Sequence, residues 1–318
     1  MAQPSDTAMP VVAGIDIGGT KVSALLVDDD ATVVARGGVP APTGEGGEAM
    51  ADAAADLVAR LLHDSGALLL AAGVGAAGVI DSERGVVRAA SMTFTGWAGF
   101  PLAEALERRL GVPVRIENDV NAFLMGEVRP GGIGDDVMGI MLGTGVGGAI
   151  VLGGALWHGR HGSAGEIGHT AGYSDIVCTC GQVGHLETVA SGVSIGLRYG
   201  ERTGMTGLDA EHVARRARSG DTDARAVFEA AGRAVALASA TAAGLLDLGR
   251  VIVGGGVTNA WDLLEPTIAA TLRTDSPVSG IPLRIDRGML GEDAVALGAA
   301  ASARTVFLGH PALARSNA

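Results

Sequence analysis

The sequence predicts an α/β protein of two domains that repeat one plan, with a cleft between the halves. Three observations point there. The 318 residues are 47% hydrophobic and 18% charged, enough to bury a substantial core, and one domain per ~150 residues suggests two domains. An order of strands, helix, strand and helix in the first half returns in the second. A glycine turn follows an apolar strand near residue 18 and again near residue 145, as a duplicated layer architecture would require.

Each element has its own signal. Val11 to Ile15, Ser23 to Val27 and Thr32 to Ala35 are apolar runs broken by Gly18-Gly19 and Asp28-Asp29-Asp30, which predicts an antiparallel meander. Ala49 to Leu62 places Leu57, Val58, Leu61 and Leu62 on one helical face. Leu68 to Val79 is a buried strand followed by a loop. Pro101 to Leu110 is a short helix, with Pro101 in its first turn and Gly111 just past its end. Val112 to Ile116 is a strand ending at Glu117-Asn118-Asp119, and Asn121 to Glu127 a helix. The second half brings a strand at Ile140, a turn at Gly143–Gly148 and a strand at Ala149–Leu152. Helices at 209–218 and 222–247 follow a loop-rich stretch over 158–190, with Asp209 and Asp221 as N-caps. Val251 to Val253 is a buried strand before Gly254-Gly255-Gly256, and Ala294 to Arg304 a closing helix. The expected domains are 11–119, onto which the closing helix at 294–305 packs back, and 120–300.

Composition excludes several classes of function. The net charge is −12, and a sequence-independent grip on nucleic acid needs clustered Lys and Arg. Only Cys178 and Cys180 are present, too close for an unstrained disulfide. Met1 to Pro10 has neither a basic nor an apolar segment of a signal peptide. Val137 to Trp157 is uncharged and long enough to span a bilayer, but 7 of its 21 residues are Gly, so it reads as strand, turn, strand. A cytoplasmic protein without nucleic-acid or membrane partners is expected.

Six motifs carry chemistry. Asp16-Ile-Gly18-Gly19-Thr20-Lys21 combines a turn whose amides can approach a phosphate with a hydroxyl, a cation, and an Asp16 that could hold Mg²⁺ through its waters; an ordinary hairpin is the alternative. Gly143-Thr144-Gly145-Val146-Gly147-Gly148 repeats the device. Neither is a P-loop or a dinucleotide fingerprint. Glu117-Asn118-Asp119 ends a strand, where active sites of α/β folds collect; Asp119 could be a general base or simply a helix cap. Glu166 and His169 share a face if 164–169 forms a helical turn. Cys178, Cys180, His169 and His185 supply four soft or borderline ligands, enough for a closed tetrahedral zinc site in the loop 169–187; inert buried cysteines are the alternative. Gly254-Gly255-Gly256 can approach an adenine or ribose, or be a tight βα turn.

Together these motifs resemble the ROK family of sugar kinases and repressors, in the actin-like ATPase superfamily with its ribonuclease H-like fold, from about Val11 to Ala301. The Glu166-to-Glu187 segment is the most specific part. The resemblance implies that Asp16, Gly18, Gly19, Thr20, Lys21 and the turn Gly143, Thr144, Gly145 and Gly147 bind phosphate of ATP, and that Gly254, Gly255 and Gly256 lie near adenosine. It makes Asp119 the catalytic base and assigns Asn118, Asp119, Glu166, His169 and Glu187 to the sugar. His169 would serve the zinc ion as well. The expected cofactors are ATP, Mg²⁺ and structural Zn²⁺, with polyphosphate an alternative donor. Glucose is the leading substrate; another hexose, an N-acetylhexosamine or a sugar-like cyclitol comes next, and a non-catalytic sugar sensor is the rival of another class. Family members are commonly dimers or tetramers, so a homo-oligomer is expected. The family usually has a third cysteine where His185 stands. It often has a Pro-Asn pair where this chain reads Ala90-Ser91-Met92-Thr93-Phe94-Thr95-Gly96-Trp97, a loop expected to line the sugar pocket. Family repressors add an N-terminal winged helix; only fifteen residues precede Asp16 here, so no DNA binding is expected.

Overall fold

The computed structural model describes residues 8–90, 93–128 and 136–309; Ser91 and Met92 of the expected sugar loop lie outside them. In chain order the elements are β1 (Pro10–Ile17), β2 (Lys21–Val27), β3 (Val33–Pro40), α1 (Gly47–Ser65), β4 (Leu68–Ala76), β5 (Val79–Asp81), β6 (Val86–Ala89), α2 (Leu102–Leu110), β7 (Val114–Asn118), α3 (Asp119–Glu127), β8 (Val137–Leu142), β9 (Val146–Leu152) and β10 (Ala155–Leu156), then α4 (Glu187–Ala190), α5 (Gly192–Thr203), α6 (Ala210–Arg218), α7 (Thr222–Leu246), β11 (Arg250–Gly254), α8 (Trp261–Thr274), β12 (Arg284–Arg287) and α9 (Ala294–Leu308). They form two compact units, Met1–Gly132 with Asp293–Ala318, and Ile133–Glu292.

The first unit holds a five-stranded sheet in the order β3-β2-β1-β4-β7. β1, β2 and β3 are antiparallel, and β4 and β7 join parallel to β1. Both faces are covered, so β1 is a continuous apolar run rather than an alternation. Val11, Ala13 and Ile15 pack with Leu57, Val58 and Leu106 of α1 and α2. Val12 points the other way, into a cluster with Ala296, Ala300 and Ala303 of α9. A Cβ at Gly14 or Gly73 would collide with the α9 backbone at Ala296 and Ala299, and one at Gly298 with the α3 backbone at Ala122. Glycine there lets helix and sheet backbones touch. The buried Arg304 fastens α9 to the β2–β3 turn through Asp29, Val27 O and Asp28 O. Register sets Asp16 opposite Gly75, and Gly75 and Ala76 opposite Glu117 and Asn118. Asp16 and Asn118 therefore share the carboxyl edge of one sheet.

The second unit repeats the plan as β10-β9-β8-β11-β12, with β8 antiparallel to β9 and parallel to β11. Ile140, Leu142, Val251 and Val253 pack with Phe228, Val235 and Leu264. Asp209 and Asp221 cap α6 and α7 by accepting from His212 N, and from Asp223 N and Ala224 N. The segment Val137–Trp157 runs through β8, β9 and β10, and among the described residues no helix is long and apolar enough to cross a membrane. Helix α5 has little local signal in the sequence. Its Gly192, Gly196 and Gly200 lower helix propensity, and Val193 and Leu197 are exposed.

Candidate active site and metal cluster

In the first unit the site residues gather at the carboxyl edge of the sheet. The β1–β2 turn is closed by Gly18 N donating to Lys21 O (3.1 Å). Asp16, at the end of β1, has its pKa raised to about 7, chiefly by burial and then by the nearby charge of Asp119, with Lys21 opposing. A partly buried carboxylate beside a second one is a place where a cation gains by binding.

Asp119 opens α3, but Asn118 is its cap. Asn118 Oδ1 accepts from Val120 N (2.9 Å) and Asn121 N (3.2 Å). Its Nδ2 donates to Gly78 O (2.9 Å) and Asp119 Oδ1 (3.0 Å). All four hydrogen-bonding positions of this amide are used within the unit, one of them on the Asp119 carboxylate. Beneath it, buried Glu117 accepts at Oε1 from Ser82 Oγ, Asn118 N and Asn121 Nδ2 at 3.0, 3.1 and 2.9 Å. Sequence reasoning missed Ser82, since it lies in a separate hairpin and converges only through β4–β7 pairing.

In the second unit Glu166 precedes a 3-10 turn, Ile167–His169. Residues three apart eclipse in such a turn, which leaves Glu166 and His169 exposed on one side and Ile167 and Gly168 buried on the other. One ligand atom each of His169, Cys178, Cys180 and His185 lies within 4.8 Å of all the others. His169 Nδ1 is 3.3 Å from His185 Nδ1. Cys178 Sγ is 3.8 Å from His169 Nδ1, and Cys180 Sγ 3.3 Å from His185 Nδ1. A tetrahedral zinc with ordinary bond lengths spaces two nitrogens about 3.3 Å apart and a sulfur and a nitrogen about 3.6 Å apart. These three spacings lie within a few tenths of an ångström of those values. His185 Nε2 lies 3.1 Å from Gln182 Oε1, so the carboxamide oxygen can accept a hydrogen bond from Nε2–H and leave the Nδ1 lone pair facing the cluster. Burial pushes the Cys178 thiol up, and the Glu187 carboxylate adds to this; coordination to a cation acts the opposite way. Gln182 was not foreseen, because nothing in the spacing assigns a side chain behind His185.

The Gly143–Gly148 turn lies beside this cluster. Glu187 at the start of α4 accepts from Val146 N at Oε2 (3.0 Å) and from Thr179 Oγ1 at Oε1 (3.1 Å). Gly143, Thr144 and Gly256 border a recess of about 1340 Å³ with Gly192, Gly196 and Gly200 of α5, Asn259 and Arg218. Of the other expected nucleotide residues in this unit, Gly145, Gly147, Gly254 and Gly255 are not part of its lining. Gly255, at φ 86°, instead packs against the Leu142 backbone, 2.5 Å from where its Cβ would stand. The wall supplied by α5 and α6 was not expected.

The model of the ROK family matches residues 12–306. This chain belongs to the ROK family. A glucokinase of Streptomyces coelicolor is 36% identical over 281 residues, which cover 81% of this chain and 86% of its own. An N-acetylmannosamine kinase of Salmonella typhi is 33% identical over 292 residues, 89% of this chain and 97% of its own. The crystal structure of a ROK family glucokinase from Streptomyces griseus in complex with glucose and AMPPNP superposes with a TM-score of 0.81 at 33% identity, over 93% of this chain and 99% of that one. The fold is thus the actin-like ATPase fold, with its two units each built on the five-stranded plan described above.

Proposed function

We propose that this ROK sugar kinase transfers the γ-phosphate of ATP to a hydroxyl of a free hexose, with glucose the foremost substrate. The observation that carries the proposal is the pairing of Asp16 and Asp119 at one sheet edge, close enough for the charge of Asp119 to help raise Asp16 to about 7. Phosphoryl transfer calls for such a pair, one carboxylate for the metal that accompanies the nucleotide and one for the attacking hydroxyl. Asp119, steadied by Asn118, accepts the proton of the sugar hydroxyl as it attacks phosphorus. Asn118 enters here as the side chain that orients the base. Glu166, His169 and Glu187 hold the other sugar hydroxyls. Amides of the Gly18–Lys21 and Gly143–Gly148 turns face the phosphates, and Lys21 adds a positive charge. Mg²⁺, held near Asp16, would neutralise the transferring phosphoryl oxygens. Zn²⁺ on His169, Cys178, Cys180 and His185 would fix the His169 ring, leaving Nε2 for the sugar.

The recess in the second unit favours a nucleoside donor over polyphosphate. Its charged lining is Glu201, Asp209, Glu211 and Arg218, and Arg218 is already bound to Asp262 at 2.6 and 3.0 Å. An acidic wall repels a polyanion but accepts an adenine amino group and ribose hydroxyls. The Salmonella relative supports an N-acetylhexosamine as the second substrate reading. ADP release measured with ATP or polyphosphate across glucose, mannose, N-acetylmannosamine and a cyclitol tests the assignment. Turnover of glucose with ATP supports it; no turnover of any sugar would leave the non-catalytic sensor.

A further inference from the structure

Glu187 is expected on the sugar, yet in this structure its carboxylate joins two other pieces of the second unit. Oε2 accepts from the backbone N–H of Val146, inside the glycine turn, at 3.0 Å. Oε1 accepts from Thr179 Oγ1 at 3.1 Å and lies 3.7 Å from Cys178 Sγ, both in the metal loop. The backbone that follows it is tied to the same turn by Gly192 N, which donates to Gly143 O (2.8 Å), and Ser194 Oγ of α5 donates to Glu187 O (2.6 Å). Gly145 is small for the same reason. Its backbone is not in the left-handed region, but a Cβ there would stand 2.6 Å from Glu187 Oε2.

We propose that Glu187 is a positioning residue for the phosphate turn, a strut that transmits the shape of the metal loop to Gly143–Gly148 and so sets nucleotide affinity even when no sugar is present. This rests on the reading above that the turn contacts a nucleotide. A hydrogen bond from an amide to a carboxylate is stronger than a neutral one. Without it, the Val146 N–H loses its fixed acceptor, and the turn is free to rotate its amides away from a phosphate.

The test is MgADP binding measured by calorimetry without sugar, with zinc content and melting temperature recorded for each protein. Glu187→Ala should weaken MgADP by about ten- to a hundred-fold, the range for losing a hydrogen bond to a charged group. Thr179→Val, which removes one anchor of the carboxylate and keeps the side-chain shape, should weaken it by a smaller factor. Gly145→Ala should weaken it in the wild-type background, by pushing Glu187 aside, and have no further effect on top of Glu187→Ala. A side chain that only contacts sugar would change sugar affinity and leave MgADP within about two-fold, as would a merely structural one that retains its melting temperature. That result in Glu187→Ala and Thr179→Val, with wild type binding MgADP, overturns the strut alone. Failure of wild type to bind MgADP overturns the nucleotide reading and the strut together.

Discussion

Replacing Asp16 by Asn should change how stability depends on pH. The folded pKa is about 7 against an ordinary 3.8, so between these values the native protein binds a proton that the unfolded chain has released. Stability contributed at this position is then full below pH 3.8 and is lost as pH rises towards 7, at up to about 1.4 kcal/mol per pH unit. Between pH 5 and 7 the loss is about 2 kcal/mol, equivalent to several degrees of melting temperature for a unit of this size. The carboxamide of Asp16→Asn keeps the shape and cannot ionise, so subtracting the two proteins cancels every distant group. The assay is denaturant unfolding of both proteins at pH 5, 6, 7 and 8 without divalent cations. The variant should gain on wild type as pH rises, and Mg²⁺ should narrow the gap by favouring ionised Asp16. A difference that stays flat from pH 5 to 8 would refute the raised pKa.

Asp119→Asn should lower kcat by about 10²–10⁴-fold, the range for a positioned general base, while melting temperature and metal content stay put; near-normal turnover removes it from the base role. Purified protein should carry one zinc per chain by elemental analysis, with His185→Ala losing it and His185→Cys keeping it, since either side chain can complete the tetrahedron. Gly298→Val should destabilise by about 1–3 kcal/mol or more through overpacking against the α3 backbone at Ala122, read as a lower melting temperature. Asp221→Ala removes an N-cap and the partner of Tyr199 OH at 2.6 Å and should cost about 1 kcal/mol.

The motifs of the candidate site were legible because each is local. Asp16 through Lys21 and Glu117 through Asp119 sit at strand ends, where a few adjacent residues suffice to define a turn. The caps at Asp209 and Asp221 act within their own first turn, and the structure has both. The cysteine-histidine loop spans few residues, so its four donors could meet with little chain to close. Helix α5 was illegible for the opposite reason. Its glycines are poor helix formers and are present because the chain at Leu208 and Met205 lies against Gly196 and Gly200, contacts that no window of sequence contains.

The amino-acid order alone determined the apolar runs, the turns, the caps and the set of residues able to bind a metal, because these follow from short-range sterics and hydrogen bonding. Tertiary packing decided what each group does with its neighbours. It put Ser82 on Glu117 and closed Glu187 onto the glycine turn. Such pairings depend on strand register and on which backbones glycine allows to touch, and both are fixed only when distant parts of the chain come together.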